Sequence, residues 1–191
     1  TFFSGYMALM GSASLLQEKE QGTLQRMAIT PTRPGIIFAG KALATYLKGL
    51  IQMGVLLGGM MVMEWILGGG PKINLWGLAL LIPAVVAAAT GIGVAVAGFA
   101  ETYAQAANYG RALFLLMGLA GGIFFPVDLF PRPLQVLSRC TYHFWAMDGA
   151  LKMALGGSVI SIVPHLLILV MMGLLFFSIG GWLLRRRTGL F

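Results

Sequence analysis

The run Glu18-Lys19-Glu20-Gln21-Gly22-Thr23-Leu24-Gln25-Arg26-Met27-Ala28-Ile29-Thr30-Pro31 concentrates side chains able to bind or catalyse in a sequence otherwise poor in them. Gly22 can end an incoming helix, Thr23 can cap a new one, and Pro31 disfavours helix at Thr30. The pattern predicts a short helix of about Leu24 to Ile29, with Leu24 and Met27 on one face. A small apolar face among mixed charges is the form of an element that docks into a groove on a soluble partner. The same residues also suit a solvated connecting loop.

Few other residues offer chemistry. Lys41 and Lys48 lie seven apart and so share a helix face. Lys41 can snorkel to the membrane surface. Lys48 is deeper, and intramembrane charges usually face a protein interior or a wet cavity, which makes it a candidate to line the inner mouth of a pathway. The alternative is that Ile36 to Leu47 lies along the interface and Lys48 marks where a span begins. His143 and His165 have no ligand set or nucleophile beside them in sequence, so packing or interfacial roles are expected rather than metal or proton chemistry. Asp128 and Asp148 are expected to cap or hydrogen-bond, and Trp145, Tyr142 and Phe144 to sit in an aromatic belt. No nucleophile with a base, no metal cluster and no G-x-x-x-x-G-K-[ST] loop is visible, so the chain is expected to be neither an enzyme nor an ATP-binding protein by itself.

The elements that must position these residues are set by composition. Of 191 residues, 58% are hydrophobic and 10% charged, where soluble domains carry roughly a quarter charged residues. Mean hydropathy is +0.86. The sequence predicts an all-α, polytopic transmembrane helical bundle with spans at about 1–17, 36–67, 75–100, 104–125 and 159–184. The fourth stretch is short: either its helix begins near Ala104, with Arg111 reaching the interface, or it stops before the far surface. Between it and the last span, 126–157 holds prolines, charges and aromatics suited to short amphipathic or re-entrant helices. Gly91, Gly93, Ala95, Ala97 and Gly98 give the third span a small-residue surface for close helix packing.

The net charge of +7 is spread over loops and helix ends, which fits lipid and orientation rather than nucleic acid. Placing Arg185-Arg186-Arg187 in the cytoplasm puts Lys19, Arg26, Arg33, Lys41 and Arg111 on the same side. Lys72, Arg132, Arg139 and Lys152 then lie outside, so the positive-inside rule supports a cytoplasmic C-terminus. The lone Cys140 excludes an intrachain disulfide. Thr1 opens the chain in mid-span, which suggests that the natural N-terminus lies upstream.

Glu18-x-Glu20-x-Gly22-Thr23-Leu24, followed by Thr30-Pro31 and Gly40-Lys41, resembles the signature of type-2 ATP-binding-cassette (ABC) exporter permeases. Ala104-Gln105-Ala106 resembles the family's triplet before its fifth span. Gly121-Gly122-Ile123-Phe124-Phe125-Pro126, with Pro131, Leu137-Ser138 and Trp145-Ala146-x-Asp148, resembles its outer re-entrant region. Tyr142 departs from the family, which commonly has proline there, and one of the usual six spans is missing.

The resemblance implies that 18–35 is a cytoplasmic coupling segment, with Glu18, Glu20, Gly22, Thr23, Leu24, Met27, Thr30 and Pro31 engaging an ABC ATPase subunit that binds the ATP. It further implies a second permease subunit, identical or not, and a bacterial inner membrane. Gly122, Phe125, Pro126, Trp145 and Asp148 would shape the re-entrant region. Beside this ATP-driven exporter stands the reading of a secondary transporter or channel, against which the absence of a carboxylate well inside a span counts; Glu64 lies toward the outer end of its own.

Overall fold

The computed structural model describes residues 2–21, 34–66 and 74–188. Seven α-helices lie among them: α1 (Phe2–Glu20), α2 (Pro34–Ile66), α3 (Leu75–Phe99), α4 (Tyr103–Ala120), α5 (Arg132–Ser138), α6 (Tyr142–Ala154) and α7 (Val163–Thr188). Single 3₁₀ turns at Val127–Leu129 and Val159–Ile162 complete the order, and the described residues contain no strand. The chain is therefore an all-α helical bundle. Ala39–Met63, Leu75–Phe99 and Val159–Leu184 are each long and apolar enough to cross a membrane.

Helix α3 is the centre of the bundle and touches α1, α2, α4, α6 and α7. Its residues from Ala84 to Gly98 are buried except for half-buried Ala87. The reason is size: Gly and Ala project so little that neighbouring backbones come into direct contact, the main source of helix association in lipid. A Cβ placed on Gly98 would lie 2.9 Å from the Gly180 carbonyl oxygen, and one on Gly91 would collide with the Gly173 carbonyl. The pairs 91/173 and 98/180 advance together, so α3 and α7 run parallel. Gly93 faces the other way, against Ala8 and Ser12 of α1. The small-residue surface thus serves two neighbours.

Helix ends are fixed by side chains. Asn74 accepts from the Gly77 N–H at 3.1 Å to start α3, and its own side-chain amide donates to the Gly157 carbonyl at 3.0 Å. Its backbone N–H donates to the Met153 carbonyl at 2.9 Å, tying the start of α3 to the end of α6. Thr102 caps α4 by accepting from the Gln105 N–H. Helix α4 begins at Tyr103 and takes in Arg111. It stops at Ala120, five residues before the expected 125. Gly122, at φ +85°, turns the chain there, a conformation that a side chain would strain.

At 18 residues, α4 spans roughly 27 Å, a little under a bilayer core. Helix α2, at 33 residues, runs roughly 50 Å without a break. The alternative reading, an interfacial stretch to Leu47 with a span beginning at Lys48, finds no break in the helix at that point. Most of α2 has no cover from the other described residues: Leu43, Leu47, Ile51, Val55 and Met63 are exposed.

Two buried hydroxyls in these helices bond the carbonyl one turn back on their own helix. Ser12 donates to the Ala8 carbonyl at 2.8 Å and Thr45 to the Lys41 carbonyl at 2.9 Å.

Candidate functional site

The two ends of the bundle carry the residues singled out in the sequence. At one end α1 closes on α4. The Glu20 carboxylate accepts from the Tyr103 backbone N–H at 2.9 Å, at the first residue of α4, where the helix dipole favours an anion. Tyr103 in turn reaches Met10 Sδ with its hydroxyl at 3.5 Å. Glu20 is thus bonded within its own chain. Glu18 lies in the last turn of α1. Gly22, Thr23, Leu24, Met27, Thr30 and Pro31 lie outside the described residues.

Lys48 sits near the middle of α2 and is exposed, among the exposed Leu47, Ile51 and Val55. It lines none of the described cavities inside the protomer, and no carboxylate among the described residues pairs with it.

The opposite end holds the richest polar cluster. Asp148 Oδ2 lies 2.6 Å from His165 Nε2 and 2.8 Å from Lys152 Nζ. One acceptor oxygen serves two donors. Because Nε2 points at a carboxylate, it carries the proton, and the 3.3 Å approach of Lys152 Nζ to the same nitrogen is a contact rather than a hydrogen bond. His165 Nδ1 is buried without a partner among the described residues. The side chain of His165 is 4% exposed, against 35% for Asp148. Burial alone would raise the Asp148 carboxyl; the hydrogen bonds and charges of Lys152 and His165 outweigh it and hold the group below its ordinary value.

Trp145 completes one face of α6. Its ring meets His165 edge-on at 5.4 Å, and its indole N–H donates to the Arg139 carbonyl at 2.8 Å. Trp145, Asp148, Gly149 and Lys152 follow i, i+3, i+4, i+7 spacing, so α6 presents them together. On the other side of Asp148 is a cleft of about 340 Å³ whose wall includes Gly122, Phe125, Pro126, Asp128, Met147 and Asp148. The residues expected to shape the outer region come together here, with Trp145 just outside the cleft.

Two sequence expectations change. Tyr142 is fully buried, so it does not stand in a surface aromatic belt: its hydroxyl bonds Ser4 and its ring meets Phe114 edge-on at 6.0 Å. It is also the first residue of α6, the helix position where proline is best tolerated, so the departure from the family pattern leaves the helix start in place. His143 is buried between Phe114 and Tyr142, a packing position. His165 has a partner that the sequence reading missed. The Asp148-x-x-x-Lys152 spacing was a legible signal for half of the cluster; the Asp148 to His165 contact crosses a turn and had none. Among the described residues no group of three or more His, Cys, Asp or Glu is placed to hold a metal.

A bundle of apolar helices with small-residue seams, polar clusters only at its ends and no catalytic constellation among the described residues defines a multi-pass membrane protein of the permease class. The model for the ABC-2 family transporter protein family matches residues 1–182, and the chain belongs to that family. It is 26% identical over 156 residues to the "Linearmycin resistance permease protein LnrN" of Bacillus subtilis (strain 168), a match covering 80% of this chain and 39% of that protein. The chain thus spans about two fifths of the length of the curated relative it matches. No solved structure matches.

Proposed function

We propose that the chain is part of the membrane permease of an ATP-driven exporter in the cell membrane, with its C-terminus in the cytoplasm. The match to the ABC-2 family over residues 1–182 carries this reading. Two structural facts support it. Helices α1, α3 and α7 run parallel, so Glu20, at the end of α1, and Arg186, near the end of α7, share one end of the bundle, as the positive-inside rule requires. Helix α2 packs one side on α1 and α3 and leaves the rest of its surface exposed among the described residues, as expected of a surface completed by lipid or by a second permease subunit.

The mechanism follows from what the chain lacks and what it offers. ATP is bound and hydrolysed on a separate ABC ATPase subunit seated on 18–35. Movement of that segment reaches α4 through Glu20, whose carboxylate holds the first N–H of that helix. Substrate moves at the interface of two permease subunits, with Lys48 on the surface that faces it. The relative's name assigns it to resistance, and by likeness the cargo here is a compound harmful to the cell.

Affinity purification of the full-length protein from its native membrane is expected to recover an ABC ATPase whose hydrolysis is coupled to the permease. Recovery of the permease without any such ATPase would favour a channel or secondary transporter. For the pathway, a cysteine at position 48, in a Cys140→Ser background, is expected to react with a cytoplasmic thiol reagent and to be protected at least about threefold when the partner subunits are bound. Equal labelling with and without the partners would take Lys48 out of the pathway.

A further inference from the structure

We propose that the groove between α2, α3 and α7 is a binding site, entered from the membrane, for a hydrocarbon chain that carries a hydroxyl or carbonyl group at the depth of Thr90. Only the multi-pass membrane character of the chain is needed for this, not the identity of its cargo.

The groove follows from where the glycines stand. Helix α2 crosses α3 at Gly49, where a built Cβ would lie 2.6 Å from Val86 Cγ1. On either side of such a crossing two helices diverge. Toward the start of α2 the gap is walled by α7, which Gly91 and Gly173 hold backbone to backbone on α3. The result is a groove of about 340 Å³ whose lining includes Ala42, Leu43, Tyr46, Thr90, Gly173 and Phe177. Ligand pockets run from roughly 300 to 1,000 Å³. All three walls belong to stretches able to cross a membrane. Thr90 lies roughly 13 Å from the end of α3 at Phe99. At that depth the surrounding medium is lipid hydrocarbon.

The side chains of the groove are apolar except at two residues. Tyr46 donates its phenol O–H to the Pro83 carbonyl at 3.4 Å. Thr90 is 5% exposed, and its hydroxyl oxygen has no partner among the described residues. Other hydroxyls of the bundle behave differently: Ser12, Thr45 and Ser178 donate to the carbonyl one turn back, at 2.8, 2.9 and 2.7 Å. An unpaired hydroxyl in an apolar site is costly, and a ligand that brings an oxygen to it removes that cost. A plain acyl chain fills the same space and leaves the hydroxyl unpaired. The site therefore discriminates between the two by a single hydrogen bond, worth about fivefold in affinity.

The test uses the full-length permease in phosphatidylcholine nanodiscs. A stearate analogue with a diazirine near its chain end is photo-crosslinked and its adducts are mapped by mass spectrometry. Adducts are expected on the segments of α2, α3 and α7 that line the groove. Competition by 10-hydroxystearate, whose hydroxyl sits mid-chain, is expected to be about fivefold stronger than by stearate. It should exceed 2-hydroxystearate by the same factor, because that hydroxyl stays at the membrane surface. Thr90→Val keeps the shape of the side chain and removes the hydroxyl. It is expected to bring 10-hydroxystearate down to the level of stearate without lowering the melting temperature, since the hydroxyl it removes bonds nothing within the described residues. Ala42→Phe, which fills the groove, is expected to lose the adducts.

Equal competition by 10-hydroxystearate and stearate in the parent would overturn the proposal and reduce the groove to a seat for ordinary lipid chains. That comparison needs no variant. Adducts confined to other parts of the chain would overturn it too, as would a mid-chain preference that persists in Thr90→Val. No step involves ATP, so failure here leaves the exporter reading standing, and failure of the exporter reading leaves the site.

Discussion

Replacing Leu24 or Met27 with aspartate is expected to abolish co-purification of the ATPase subunit. The two side chains are three residues apart on the predicted coupling helix, so both face one partner groove. Buried anchors of an interface cost about 2 kcal/mol or more when truncated, a loss of roughly thirtyfold or more in affinity. A carboxylate in the same pocket adds an unpaired charge that must be desolvated, which pushes the loss well beyond that factor. Gln25, next to Leu24 in sequence and so assigned to a different side of the predicted helix, provides the control: Gln25→Asp is expected to assemble almost normally. Pull-down of a tagged permease, quantified against its own recovery, gives the answer, and unchanged assembly in both Leu24→Asp and Met27→Asp would sink the coupling-helix assignment.

The other large effect is expected at the seam between α3 and α7. A Cβ on Gly180 would lie 2.6 Å from the Val94 carbonyl carbon and oxygen and from the Ala95 backbone nitrogen. All three are backbone atoms, so no rotamer change can relieve the contact; the helices must separate. Overpacking in a tight core costs typically about 1–3 kcal/mol, and more when nothing gives way. Gly180→Leu is therefore expected to lower the melting temperature in detergent by several degrees at least and to reduce the yield of monodisperse protein sharply. Gly59 on α2 has nothing within 4 Å of a built Cβ. Gly59→Leu is expected to leave the protomer's own stability unchanged. Equal melting of Gly180→Leu and the parent would show that the seam does not set stability.

Several features were readable from the sequence because they are local. A helix in lipid must satisfy its own backbone, so long uncharged stretches such as 75–100 could be little else. The Gly and Ala content of that stretch announced a close-packed helix, and α3 is one. Glycine pairing was not readable: Gly91 and Gly98 become informative only once Gly173 and Gly180 are set beside them. Tyr142 illustrates the limit from the other side. Its neighbours in sequence, His143, Phe144 and Trp145, suggested a membrane-surface belt, and only the approach of α1 and α4 puts its ring in the core beside Phe114.

By itself the sequence determined the class of this protein and its helical architecture, and it put forward Glu18 to Pro31 as the place where a partner's work would be received. All three follow from hydropathy, length and short-range motifs, which act within one or two helical turns. The tertiary structure decided that Lys48 faces outward, that Glu20 bonds the start of α4 and that Asp148 bonds His165. Each of these depends on which faces of distant helices meet. That choice is made by backbone approach at a few glycines, and the residues on either side of a seam do not encode it separately.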